Sequence, residues 1–457
     1  MQQATVNIGG RLERLPISGF HWKLFTLLGI AMFFDGYDLL VAGLVIPSLR
    51  QVGWLDGTTT TIFVSLPLTA AAIGSFVSGY FGDRFGRRKL MKINVAIFMV
   101  GSLLCGVAPT PELLIAFRTI TGFGLGMQIV TGYSYMNEMT NSAMRGRFQA
   151  SMAMIVNSGL PAGAVFAALV VPLLAPEIGW RLLFLISVVP VYFLFLSKET
   201  LPESPRWLAS VGRIEEADEI VRRMEAVAEK ESGGLLPVPT ATLTPHRNLG
   251  WDALVSGVVR TRFVMAIMLA VFHLTGLYIL VTWLPTILIA SGLSFLSGFI
   301  FSAVTFSGSI FGPLLAVVIG NRFERRWMLV CAALVAAVSG LLYATQDTPS
   351  GLMAVGFILA CAVNFISAVA LATYIPEILP TGVRLRGVGT SFLVGRLASA
   401  ASPFIVAAVL PLIENPLVIV TLVGGFYVLM AVVVATMGPN TTGRSLETIE
   451  GVVAARP

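Results

Sequence analysis

Five side chains able to handle a proton or an anion fall inside long apolar runs of this sequence. Asp35 and Asp38 stand in FFDGYD (33–38) in the first run, Arg118 near the start of the fourth, His273 in the seventh and Arg396 near the middle of the eleventh. A charge at the centre of a membrane helix costs about 2.5–3.5 kcal/mol, so each needs a reason to be there. Asp35 and Asp38 are three residues apart and share a helix face. Two carboxylates in one low-dielectric site do not both ionise cheaply, so one of them is a natural proton carrier. The structural alternative is a fixed network with Arg118 or with backbone groups.

Arginine offers a planar fork of donors that matches a carboxylate. Arg396, close to Gly389 and Gly395, is the candidate contact for an anionic cargo. Arg118 is a candidate partner for Asp35 or Asp38, or a second cargo contact. His273 has a proton or binding role in view, against the ordinary reading of a satisfied buried donor. Phe34, Tyr37, Gln128, Tyr133, Tyr278 and Trp283 could stack on or hydrogen-bond an aromatic ligand. Most aromatic residues in membrane segments only pack or anchor at interfaces.

That chemistry requires the runs to be membrane spans. The chain has 457 residues, 56% hydrophobic and 12% charged, with a mean hydropathy of +0.85. A spanning helix needs roughly 20 apolar residues. Twelve such runs extend from 24–49 to 416–437, the sixth at 181–197 and the eleventh at 387–412. They are continuous rather than alternating, which excludes a β-barrel and predicts an all-α membrane protein. The net charge of +6 does not point to nucleic acid. Its short-loop charges gather at one end, in Arg84, Arg87, Arg88, Arg322, Arg325 and their neighbours, against Arg50 and Arg181 at the other. This bias predicts a multi-pass protein with both termini cytoplasmic. No cleavable leader is expected, because the first 23 residues are polar and basic. Cys105, Cys331 and Cys361 all fall in apolar runs and read as buried thiols.

The twelve runs are two copies of six. GDRFGRR (82–88) returns as GNRFERR (320–326). Tyr135, Glu138, Arg145 and Arg147 return 239 positions later as Tyr374, Glu377, Arg384 and Arg386, and Asp35 falls opposite His273 at an offset of 238. The copies run in the same sense, as in transporters built from parallel repeats. The predicted halves are 1–197 and 259–457, joined by a linker over 198–258 with an amphipathic helix at 212–230. Asp83, Arg84, Arg87, Glu138 and Arg145, with Glu377 and Arg384 in the second copy, form a gating set at the basic ends of the spans. They are expected to hold the two halves together when the cavity opens to the other side. Asn321 and Glu324, where the first copy has Asp83 and Gly86, make the second latch unlike the first.

GDRFGRRK resembles the loop signature of the major facilitator superfamily, and PESPRWL (202–208) and PNTTGRSLE (439–447) resemble the signatures after its sixth and twelfth spans. FFDGYD and GRLASAASP (395–403) are similar to motifs of the aromatic acid:proton symporters, and RLERLPISGFHWKLF (11–25) resembles the start of bacterial nicotinate transporters. The seventh span, FHLTGLYILVTWLP (272–285), lacks the paired glutamines of sugar porters. The resemblance implies a proton-coupled symporter in a bacterial inner membrane, importing nicotinate or a benzoate-type acid by alternating access. The proton gradient would drive it without a cofactor, and a monomer is expected. The alternative is a proton-coupled drug or metabolite efflux antiporter, in which the same acids bind cations. A non-transporting sensor would need a signalling module larger than 198–258. No nucleotide-binding GxxxxGK[ST] loop and no metal-ligand spacing occur, so neither an enzyme nor a metal site is expected.

Overall fold

The computed structural model describes residues 7–174, 176–195, 199–238, 251–319, 322–379 and 384–441. Among these, eleven helices are long and apolar enough to cross a membrane, and a shorter apolar helix covers Ile178–Pro190. The first six crossings are α2 (Gly19–Gln51), α3 (Gly57–Phe85), α4 (Arg87–Gly106), α5 (Pro111–Met139), α6 (Ser142–Val170) and α7 (Pro176–Leu185). The second six are α10 (Gly257–Ala290), α11 (Phe295–Ile319), α12 (Arg325–Tyr343), α13 (Pro349–Ile366), α15 (Arg384–Val409) and α16 (Ile419–Met437). Short helices α1 (Ile8–Arg14), α8 (Pro205–Ser210), α9 (Ile214–Ser232) and α14 (Ile375–Ile378) complete the set.

The repeat is visible in how helices start and how they are tied. Thr110 caps α5 ahead of Pro111, and Thr348 caps α13 ahead of Pro349, each threonine hydroxyl accepting a first-turn N–H. Proline suits this position because its missing N–H would have no helical partner anyway. Tyr135 donates to the carbonyl of Pro202, and Tyr374 to that of Pro439 at 2.8 Å. Packing repeats as well: α2 lies on α6 and α3 on α5, as α10 lies on α15 and α11 on α13. The two six-helix units meet along α2 with α10, α3 with α15, and α6 with α11.

Large apolar side chains such as Phe76, Leu169, Phe311 and Leu315 face outward. Such a surface would be a liability in water and is the expected one in lipid. Cys331 is exposed on this surface, Cys361 is half-buried and Cys105 is buried, so burial of all three thiols does not hold. The sixth crossing also departs from a uniform span. After Leu185 it tightens into a 3-10 helix, Ile186–Phe195, around Pro190, which lacks the N–H an α-helical turn would use. The tenth crossing passes from α13 into a π-helical stretch, Ser367–Tyr374, before α14.

Close crossings depend on glycine. A Cβ on Gly36, inside FFDGYD, would lie 1.7 Å from the carbonyl oxygen of Val156 on α6, and one on Gly159 would lie 2.3 Å from Phe33 O. Small residues let membrane helices approach backbone to backbone where no hydrophobic effect draws them together. Gly36→Ala should therefore lower the thermal midpoint sharply, since overpacking costs about 1–3 kcal/mol or more. Gly425→Ala, with open space at its Cβ, should leave it unchanged or raise it. Equal midpoints in a thermal-shift assay would remove the wedge argument.

The helix expected over 212–230 is α9, and its apolar face is covered by α1. Ile8 and Leu12 pack with Ile220, Val221 and Met224. Arg11 pairs with Asp218 and with Glu225 at 2.6 Å, and Arg14 reaches Glu225 at 2.6 Å. Burial alone would raise the Glu225 carboxyl, but the two guanidiniums hold it below its ordinary value. Glu231 accepts from Gly19 N at 2.9 Å, so this cluster also caps the first crossing.

Candidate functional site

Where α2, α3, α5, α10 and α15 converge, a cavity of about 60 Å³ lies between the halves, lined by Asp35, Arg118, Tyr278, Thr282 and Arg396 among apolar residues. Small-molecule sites enclose roughly 300–1,000 Å³, so this is a contracted space that must widen to admit a ring. A second cavity of about 830 Å³ lies toward the end away from the basic loops, lined by Arg50, Asp56, Trp283 and Phe404. The crossing of α2 and α10 separates the two. Thr282 lines one and Trp283 the other, and a Cβ on Gly43 would lie 2.2 Å from Thr282 O.

Asp35 and Asp38 have different surroundings. Asp38 is fully buried, and its Oδ2 accepts from an Arg118 terminal nitrogen at 2.5 Å while its carbonyl accepts from the other at 3.1 Å. The Arg118 guanidinium also lies over the Phe184 ring, 5.5 Å from its centroid. Asp35 is 3% exposed, and neither of its carboxylate oxygens has a hydrogen-bond partner. Gln128 approaches it, and one of the two N–H groups of its Nε2 donates to the carbonyl of Ala31 at 2.9 Å. The two acids thus divide into one held in an ion pair and one left open to the cavity.

Arg396 comes from the other half and reaches across. One terminal nitrogen donates to Ser75 Oγ at 2.7 Å and approaches the carbonyl of Ala71 at 3.5 Å. Tyr278 joins it on the cavity wall. The remaining aromatic candidates are spread out. Tyr37 donates to the carbonyl of Leu183 at 3.1 Å, Tyr133 is half-buried near Asp35, and Trp283 faces the larger cavity.

His273 keeps the place opposite Asp35 in the repeat but not its situation. Its Nε2 meets Ser367 Oγ at 2.8 Å and its Nδ1 meets Tyr427 OH at 3.1 Å. Ser367 is the repeat counterpart of Gln128, so both copies keep a polar pair at this depth. Only the second copy satisfies it internally, and His273 does not line the cavity.

Two ion pairs involve the described gating residues. Arg87 pairs with Glu138 at 2.7 Å and Arg325 with Glu377 at 2.8 Å, each pair joining two crossings of the same half. The third crossing starts where the fourth ends, so the pair sits at the nearest helix termini rather than across the seam. Arg84 is exposed, its guanidinium 5.8 Å from the Phe85 centroid. The side chains of Asp83, Arg145 and Arg384, and all of Asn321, lie outside the described residues. Glu324 accepts from Thr441 N at 2.9 Å.

Sequence reasoning missed Ser75, Ser367 and Tyr427. A hydroxyl in mid-span carries no periodic signal, and only the fold shows which of them meets a charged or aromatic partner.

A family model described as "Sugar (and other) transporter" matches residues 26–452. The chain belongs to that family. It is 30% identical to the putative metabolite transport protein YdjK of Escherichia coli over 98% of each chain. It is 28% identical to the niacin transporter NiaP of Acinetobacter baylyi over 97% of this chain and all of that one. Among solved structures, the xylose transporter XylE of E. coli in a partially occluded inward-open conformation superposes with a TM-score of 0.74 at 19% identity, covering 94% of this chain and 100% of that one. The fold is that of the major facilitator superfamily, and the chain is an integral membrane secondary transporter rather than an enzyme.

Proposed function

We propose that this transporter imports a small aromatic monocarboxylate, nicotinate or a benzoate-type acid, together with one proton. The membrane is a bacterial inner membrane, with both chain termini cytoplasmic. The observation that carries the reading is Asp35, buried with both oxygens unbonded in a cavity that Arg396 also lines.

Charge balance supplies the coupling. The Asp38–Arg118 pair is neutral throughout. Empty, the cavity holds one aspartate and one arginine and is neutral; loaded, a proton on Asp35 and a carboxylate on Arg396 keep it neutral. Proton alone or anion alone leaves one net charge, at about 2.5–3.5 kcal/mol in the membrane interior. Half-loaded carriers therefore do not cross, and cargo and proton move together.

The walls favour an aromatic acid over a sugar. Apart from Asp35, Arg118 and Arg396 the cavity offers few hydrogen-bonding groups, and Phe63, Pro67 and Leu125 give it an apolar surface. A sugar's hydroxyls would be left unpaired there. The relationship to a niacin transporter supports the same cargo class.

In proteoliposomes with an inward proton gradient, nicotinate or benzoate should accumulate, and nicotinamide and xylose should not. Accumulation of xylose without the acids, or proton-driven extrusion of a cationic dye, would overturn the reading; the latter would favour efflux.

A further inference from the structure

We infer that Ser75 is a keeper for Arg396: it holds the arginine across the seam of the empty protein and yields it to the cargo carboxylate, so that loading unties α15 from α3. This rests on the anionic-cargo reading above. The geometry of the hydroxyl comes first. Ser75 sits where α3 and α5 touch backbone to backbone, a Cβ on Gly126 falling 2.0 Å from Ala71 O. Its single proton is directed to the carbonyls of Ala71 at 2.8 Å and Gly126 at 3.0 Å. What remains toward the seam is oxygen lone pairs, which suit a guanidinium and not an anion. Arg396 takes them at 2.7 Å.

Arg396 is thus held by neutral acceptors while its guanidinium has five donors. A carboxylate can accept two of them in parallel, in bonds roughly twice as strong as neutral ones. A cargo anion in the cavity outcompetes Ser75, and the cross-seam bond is lost as the cargo bond forms.

The repeat supplies an internal comparison. Ala71 and Arg396 correspond to Ser309 and Asn157, at offsets of 238 and 239. Those two also meet across the halves, where Ser309 Oγ donates to Asn157 O at 2.8 Å on the α6–α11 seam. That bond joins a hydroxyl to a backbone carbonyl and has no cationic member for a cargo to draw away. One seam responds to cargo, and its pseudo-symmetric counterpart does not.

Two measurements on the purified full chain test this. In the absence of cargo, thermal midpoints are compared for Ser75→Ala, Arg396→Met and the double variant. A shared bond means the double variant loses little beyond Arg396→Met, and additive losses overturn the contact. Benzoate and nicotinate are then titrated by calorimetry. Ser75→Ala should bind them more tightly, by roughly three- to tenfold, because no hydrogen bond has to be surrendered. Ser75→Cys, of similar size but a poor acceptor, should repeat the effect, and Ser309→Ala should match wild type. Weaker binding in Ser75→Ala would make Ser75 a direct cargo ligand, and unchanged binding would make it inert; either overturns the keeper. If neither acid binds wild type, the cargo reading falls, and additive or non-additive midpoints still decide whether the tether exists.

Discussion

Asp35→Asn should abolish uphill accumulation and leave exchange intact. Asparagine fixes a neutral group where the wild-type protein alternates between charged and protonated forms. The loaded variant, with a cargo anion on Arg396, is then neutral and crosses as before. The empty variant keeps the Arg396 charge with nothing to balance it. Returning that charge through the membrane interior costs about 2.5–3.5 kcal/mol, which slows the empty step roughly 100-fold. Proteoliposomes preloaded with unlabelled benzoate should take up labelled benzoate at a rate within a few-fold of wild type. Net uptake driven by a proton gradient should stop at the equilibrium distribution. Full uphill transport by Asp35→Asn would remove it as the proton carrier; loss of exchange as well would make it a cargo or folding residue. The variant does not strand a buried partner, because neither Asp35 oxygen is bonded in the protein.

The membrane makes part of this structure legible in advance. Hydrocarbon requires about 20 apolar residues per crossing, so the runs announce themselves, and the same cost exposes Asp35, Asp38, Arg118 and Arg396 against the background. The repeat fixes which crossings correspond, down to Tyr135 with Tyr374. What a one-dimensional reading does not carry is the partner. The Asp38–Arg118 pair joins residues 80 positions apart, and nothing in their spacing chooses Asp38 over Asp35. His273 shows the limit more sharply, since its place in the repeat points to the site while Ser367 and Tyr427 use both its nitrogens. Gly36 reads as one letter of a motif until α6 is seen lying against it. The gating set is legible from the repeat, but not which member pairs with which: Arg87 meets Glu138, and Arg325 meets Glu377.

Arg118→Met should be among the most damaging single substitutions in the protein, and adding Asp38→Leu should repair most of the damage. The pair is withdrawn from solvent, with side chains 4% and 0% exposed, and the shorter bond is 2.5 Å. Removing one member of a buried pair strands the other and costs about 3–5 kcal/mol, whereas replacing both by apolar groups is often neutral or better. Detergent-solubilised Arg118→Met should lose most of its folded yield or melt well below wild type, and Arg118→Met/Asp38→Leu should melt near it. The double variant also separates the two acids by function. A charge-balanced pair that never changes state is not needed for coupling, so the double variant should still accumulate benzoate, though more slowly where cavity shape has changed. If it folds and exchanges but fails to accumulate, Asp38 carries the proton and Asp35 does not. The geometry argues against that outcome. Protonating Asp38 would remove the charge that balances Arg118 and leave that guanidinium uncompensated beside Phe184, whereas protonating Asp35 discharges no ion pair.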